Sequence, residues 1–176
     1  MPPYRYIHRQ YMLILMAMIF VVAITTMLYY STKLSNGFAA SDHWMKGSDA
    51  EIKGDHERAV AEYQQALRYE PNNFYYRYEL GRAYEQQKKY DAAIAEYQKA
   101  ARSARTEADY PYGLSLVEYE MGNAYFEKGD YTGAAQAYQR VVSLPLPVKN
   151  IKSFLELQKS AAEYLEESKR LLHNKA

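Results

Sequence analysis

The chain has no cysteine among its 176 residues. That absence excludes disulfides, thiol catalysis, a lipid-modified N-terminal cysteine and cysteine-rich zinc sites together. Acidic residues are missing from the N-terminal part: none occurs before Asp42, and Arg5, Arg9 and Lys33 are the only charged side chains there besides the histidine at position 8. An excess of one sign is missing as well. The formal net charge is +1, and after Ser41 the two signs are interleaved with a slight acidic surplus. A nucleic-acid surface needs a basic face, so no nucleic-acid partner is expected. The usual chemistry is also lacking. His8, His43, His56 and His173 are scattered without zinc-ligand spacing, and there is neither a phosphate-cradling glycine loop ending in Lys-Ser/Thr nor a nucleophile elbow. The expectation is a non-enzyme without cofactor or metal.

What is abundant is tyrosine, 20 residues against one Trp and five Phe. Between Arg9 and Lys33 the chain carries no Asp, Glu, Lys or Arg, and Met12 to Leu28 is apolar except for Thr25 and Thr26. About 20 helical residues span roughly 30 Å, a bilayer's hydrocarbon core. Tyr11 at one end and Tyr29 and Tyr30 at the other suit the headgroup region. The run is longer than the core of a signal peptide, and the best small-residue site, Gly37-Phe38-Ala39, lies well beyond it. Residues 11–30 therefore read as a retained transmembrane anchor after a short N-terminal segment (1–10). Arg5 and Arg9 favour a cytoplasmic N-terminus and an extracytoplasmic domain, periplasmic in a bacterium.

After a linker at 31–40 the sequence copies itself. Gly47, Gly81 and Gly122 align; seven residues later come Gly54-Asp55, Lys88-Lys89 and Gly129-Asp130; then Ala59/Tyr63/Ala66, Ala93/Tyr97/Ala100 and Ala134/Tyr138/Val141. The copies start 34 and then 41 residues apart, placing a 7-residue insertion near 103–111. Mid-helix glycine costs up to about 1 kcal/mol, so its recurrence implies a close helix approach, with Ala93 expected opposite Gly81 and the tyrosines filling the gap alongside. Pro71, Pro145 and Pro147 end units.

This period and pattern resemble the tetratricopeptide repeat (TPR) family, a helix–turn–helix unit. The expected fold is all-α: a single N-terminal transmembrane helix, then an α-solenoid of three TPR helix pairs over 41–147 (41–72, 74–104 and 114–147). A capping helix follows at 150–173, with Ile151, Phe154, Leu155, Ala161, Ala162, Leu165 and Leu172 at helical spacing. Two departures stand out. The large residue expected four before each glycine is His43, Arg77 or Glu118, and the second repeat lacks the turn glycine and closing proline.

The resemblance implies a concave groove lined by first helices: Trp44, Ser48 and Glu51, then Tyr78, Arg82 and Glu85, then Tyr119, Asn123 and Phe126. Tyr, Trp and Arg dominate binding hot spots. TPR domains that bind acidic chaperone tails use a Lys/Asn-rich clamp, which this sequence matches at Asn123 alone. Tyr110 and Tyr112, flanking Pro111 in the insertion, form an alternative partner surface. In layout the chain resembles anchored TPR proteins of bacterial envelopes and small accessory subunits of membrane complexes. The expected function is a membrane-anchored scaffold or assembly factor. Its partner is another protein or a membrane protein complex, held by the groove, with the transmembrane helix as a second surface. The alternatives are a self-assembling structural subunit and an organelle import-type receptor with a cytosolic domain.

Overall fold

The computed structural model describes residues 4–104, 110–147 and 150–175, with side chains for 11–104, 111–147 and 150–174. Every regular element among them is a helix: α1 (Tyr4–Ile52), α2 (His56–Tyr69), α3 (Phe74–Gln86), α4 (Tyr90–Ala104), α5 (Tyr110–Lys128), α6 (Tyr131–Ser143) and α7 (Ile151–Lys175). The chain divides into two units, Met1–Ala39 and Ala40–Ala176.

In the first unit, the large apolar side chains from Met12 to Leu28 are exposed, and this stretch is long and apolar enough to cross a membrane. The hydroxyls of Thr25 and Thr26 donate to the carbonyls of Val22 and Ala23 at 2.9 Å, so neither presents an unpaired group along the helix. The expected linker at 31–40 is not a loop, because α1 continues through it. No proline interrupts the segment, Gly37 is a single weak point, and Thr32 donates to the carbonyls of Leu28 and Tyr29 at 3.1 and 2.9 Å.

In the second unit the helices from α2 onward pack on their sequence neighbours, α5 also meets α3 and α7, and the end of α1 lies against α2 through Gly47 and Tyr63. The glycine at the centre of each first helix is fixed by a ring. A Cβ added at Gly47, Gly81 or Gly122 would lie 2.6, 2.5 or 2.6 Å from the Cε1 of Tyr63, Tyr97 or Tyr138. The neighbour that forbids a side chain at Gly81 is thus the Tyr97 ring rather than Ala93. All three tyrosines are fully buried, as are Ala59, Ala93 and Ala134 beside them.

One turn geometry joins the two helices of every repeat. The amide of Gly54, Lys88 or Gly129 donates three residues back, and the next amide donates five back, to Ala50, Tyr84 or Tyr125, at 2.7–2.9 Å. The residue at the first of these positions is left-handed each time, with φ +74° at Gly54 and +82° at Gly129. Repeat two has no glycine there, so Lys88 takes φ +58° itself. Asp55 and Asp130 then cap α2 and α6, accepting from Arg58 N and Gly133 N at 3.1 and 2.9 Å. Lys89 cannot accept, and Asp91 in the first turn of α4 supplies the negative charge instead, reaching Lys128 Nζ at 2.5 Å.

The polar residues four before each glycine have a structural use. His43 pairs with Glu62 at 2.7 Å, Arg77 with Glu96 at 3.1 Å and Glu118 with Arg140 at 2.8 Å, each tying a first helix to its own second helix. Where other repeats would wedge in a large apolar side chain, this chain uses a partly shielded polar pair.

Two sequence expectations need correction. The extra residues ahead of repeat three lengthen α5, which starts at Tyr110, before the expected 114. Tyr112 is half-buried on this helix, Leu114, Ser115 and Val117 are buried, and a Cβ at Gly113 would meet the Phe74 ring at 3.1 Å. Tyr112 is therefore a half-buried helix residue rather than part of an exposed loop, and the Tyr110 side chain lies outside the described residues. In α7, Phe154, Ala161, Leu165 and Ser168 are buried, whereas Ile151, Leu155 and Ala162 face outward. Its docking is helped by Gln158, whose Nε2 donates to the carbonyls of Val141, Val142 and Leu144 at 3.1–3.2 Å and satisfies the open end of α6.

Gly81→Ala should destabilise the chain by about 1–3 kcal/mol despite alanine's better helix propensity, because the fully buried Tyr97 ring must move. Combining it with Tyr97→Leu should cost less than the two single changes added, in denaturant melts of the full chain in mild detergent. Lys88→Gly should do the opposite. Releasing a left-handed lysine returns about 1–2 kcal/mol, less about 0.5–1 kcal/mol for the glycine's extra chain entropy, so a gain of about 0.5–1 kcal/mol is expected in the same assay.

A candidate partner-binding face on the first helices

The buried tyrosine of each second helix passes under its glycine and brings its hydroxyl to the far side of the first helix. Tyr63 donates to Glu51 Oε2 at 3.0 Å and Tyr97 to Glu85 Oε2 at 2.8 Å, in both cases the residue one turn after the glycine. In repeat three that position is Phe126, and Tyr138 donates instead to Asn123 Oδ1 at 2.7 Å. Asn123 in turn donates from Nδ2 to Glu120 Oε2 at 2.8 Å. Three of the nine sequence-derived groove residues, Glu51, Glu85 and Asn123, are thus held from below.

The aromatic residues link adjacent repeats along the same face. Trp44 on α1 lies 5.8 Å from Tyr75, which stacks on Tyr78 at 6.1 Å, and Tyr78 leans on Tyr97 at 6.2 Å. Arg82 sits over the Tyr78 ring at 5.9 Å and pairs with Glu79 at 3.0 Å. Trp44 packs partly into the cluster of Ala50, Ala59, Tyr63, Leu80 and Ala83; its indole N–H is buried and meets no acceptor among the described residues. Ser48 is half-buried beside it.

Repeat three differs. Tyr119 and Phe126 both meet Tyr164 of α7, at 6.3 and 5.9 Å, and Tyr164 also stacks on Tyr138 at 5.5 Å. These two residues contribute to seating the capping helix. The open part of the face is therefore Glu51 with Trp44 on α1, the row Tyr75, Tyr78, Arg82 and Glu85 on α3, and Glu120 with Asn123 on α5. Tyr75, Glu79 and Glu120 were not singled out in the sequence. Each stands three residues before a groove residue, the spacing that puts two side chains on one helix face, and that signal was available.

Burial dominates the electrostatics. It raises Glu79 and Glu85 above the usual carboxylate range; Arg82 draws both back in part, and the Tyr97 hydrogen bond does the same at Glu85. Burial and then Glu79 push Tyr75 up to about 12. Burial opposes the charge on Arg82, but Glu79 and the groups around it outweigh that and hold the guanidinium above its ordinary value. Among the described residues no group of three His, Asp or Glu side chains is placed to hold a metal ion.

Two family models for the tetratricopeptide repeat match, one at residues 45–108 and one at 117–144. The chain carries tetratricopeptide repeats. Solved structures agree in fold. The TPR unit is similar to the N-terminal domain of stress-induced protein-1 from C. elegans, 26% identical, covering 70% of this chain and 97% of that one at a TM-score of 0.59. It is also similar to the first TPR domain of human RPAP3, 20% identical over 78% and 94% of the two chains at 0.59. The first TPR of Spaghetti (RPAP3), bound to the HSP90 peptide SRMEEVD, is 20% identical over 74% and 98% at 0.57. No curated protein matches the chain. TPR domains mediate protein–protein interaction.

The raised Glu85 makes a pH prediction. A carboxyl whose folded pKa is raised holds its proton more tightly folded than unfolded. Its stabilising contribution is present below the ordinary carboxylate range and lost as pH rises through the raised value. Glu85→Gln keeps an acceptor for Tyr97 and removes the buried charge. It should therefore raise the Tm above wild type at pH 7, with the difference closing as the pH falls toward 4.

Proposed function

We propose that this chain is a membrane-tethered docking module: the apolar part of α1 anchors it, and the face formed by α1, α3 and α5 grips a segment of another protein. The observation that carries the docking half is the open row Trp44–Tyr75–Tyr78 with Arg82 above it. Its rings are already ordered by packing, so a partner gains large contact area at little entropic cost. The exposure of the apolar stretch from Met12 to Leu28 supports the anchor, since exposed apolar surface of that extent marks an interaction site or a membrane. The distribution of Arg5 and Arg9 supports a cytoplasmic N-terminus and a translocated TPR unit. Tethering then raises the effective concentration toward partners in the same membrane, as an accessory subunit or assembly factor requires.

Chaperone-tail binding like that of the Spaghetti TPR fits poorly. A peptide ending in Glu-Glu-Val-Asp brings like charge to Glu51, Glu85 and Glu120.

The test is co-purification from membranes washed at alkaline pH and solubilised in mild detergent. Wild type should stay with the membranes and bring down a stoichiometric partner. Tyr78→Ala with Arg82→Ala should lose that partner, at least thirtyfold in affinity, while circular dichroism stays unchanged. Tyr110→Ala with Tyr112→Ala should retain it. The reverse pattern moves the site to the start of α5, and a large homo-oligomer without other protein assigns the chain to self-assembly.

A further inference from the structure

The groove's charge says what kind of segment it takes, an inference that rests on the docking reading above. Four carboxylates, Glu51, Glu79, Glu85 and Glu120, surround one guanidinium, that of Arg82. Arg82 is spoken for by Glu79 at 3.0 Å. The other three acids have neutral partners only: the hydroxyl of Tyr63, the hydroxyl of Tyr97 and the amide of Asn123. Among the described residues none of these three has a cation within ion-pair distance.

The half-buried and buried acids that tie each first helix to its second helix are arranged differently. Glu62, Glu96 and Glu118, between the two helices of each pair, each face a basic side chain of the same repeat. Among the described residues a close basic partner thus accompanies those three acids and not Glu51, Glu85 or Glu120. The same face carries Trp44, Tyr75 and Tyr78. Ring faces attract cations, and carboxylates standing beside them complete the pocket for an ammonium or guanidinium. The acceptors are also pre-aimed. Tyr63 and Tyr97 are fully buried posts whose hydroxyls take one oxygen of Glu51 and Glu85, and the remaining lone pairs meet no further donor among the described residues.

We infer that the groove recognises a cationic protein segment, with a lysine or arginine seated between the Tyr75–Tyr78 rings and the carboxylates of Glu51, Glu85 and Glu120. The stem of such a side chain lies on the aromatic row and its charged end reaches the acids. Burial opposes charge on Glu85, and an incoming cation relieves that penalty, so the carboxylate gains more from binding than an exposed one does. Steering by the acidic face makes association faster at low salt.

The experiment pans a phage-displayed random dodecapeptide library on the full-length chain in non-ionic detergent, with empty micelles as counter-selection. The enriched pool should carry net positive charge with an aromatic or apolar residue beside the basic ones. The leading peptide, measured by fluorescence anisotropy, should weaken at least fivefold between 50 and 300 mM NaCl. Glu85→Gln with Glu120→Gln preserves shape and both hydrogen bonds; it should weaken that peptide about tenfold with an unchanged circular dichroism spectrum. A neutral or acidic pool that is lost on Tyr78→Ala overturns the charge inference and leaves the docking face standing. A pool recovered equally on Tyr78→Ala, or no enrichment at all, overturns both. Peptides matching a stretch of this chain overturn the foreign partner and assign the groove to a second copy.

Discussion

A tyrosine ring lying against a bare glycine Cα is the contact on which the TPR unit turns. It occurs three times, Tyr63 under Gly47, Tyr97 under Gly81 and Tyr138 under Gly122, with hypothetical Cβ distances of 2.5–2.6 Å. The glycine lets two helices approach; the ring fills the space so made; the hydroxyl emerges on the other side and must find an acceptor, because a buried phenol without one carries a desolvation penalty. That requirement places a polar residue on the outer face of each first helix, and Glu51, Glu85 and Asn123 fill the role. Packing and the groove's polar floor are thus the same set of interactions. A change to either is felt in the other.

The arrangement also explains why the groove has a gradient. In repeats one and two the acceptor is a carboxylate one turn after the glycine, and that oxygen stays near the open face. In repeat three the position is Phe126, which serves the cap through Tyr164, and the acceptor retreats to Asn123. The end of the array that must bury its face against α7 has given up a charge there, since a carboxylate under a capping helix would be desolvated without a partner. The end that stays open has kept its acids.

Much of this was legible in the sequence because the repeat multiplies weak signals. One glycine followed sixteen residues on by a tyrosine means little; three such pairs in register fix helix boundaries, partners and the helix–turn–helix unit. Three features were not legible. Tyr97, rather than Ala93, opposes Gly81 because the ring projects past its own helix, a matter of side-chain direction that spacing does not report. The polar residues four before each glycine read as departures, yet His43, Arg77 and Glu118 find Glu62, Glu96 and Arg140, partners chosen by which faces the helices turn to each other. The insertion read as an exposed loop because its length was known and its conformation was not. Pro111 falls at the second position of α5, where proline lacks no hydrogen bond, and the following Leu114 and Val117 bury themselves.

The aromatic row was legible as residues but not as a surface. Four of the nine groove positions are aromatic, and nothing in their spacing separates those that wait for a partner from those already engaged. Tyr119 and Phe126 are held by Tyr164 of the cap, whereas Tyr78 has its ring contacts with Tyr75, Tyr97 and Arg82 inside the array and rests half-buried on the core beneath. The distinction comes from the capping helix, whose register along α6 is set by Phe154, Ala161 and Leu165 being buried and by Gln158 closing the last turn. Shifting α7 by one residue would rotate Tyr164 by about 100° away from Tyr119 and Phe126. It would also uncover the aromatic end of the groove while hiding polar residues against α6. The cap therefore does more than cover apolar surface. Its register decides how many of the groove's aromatic residues remain open.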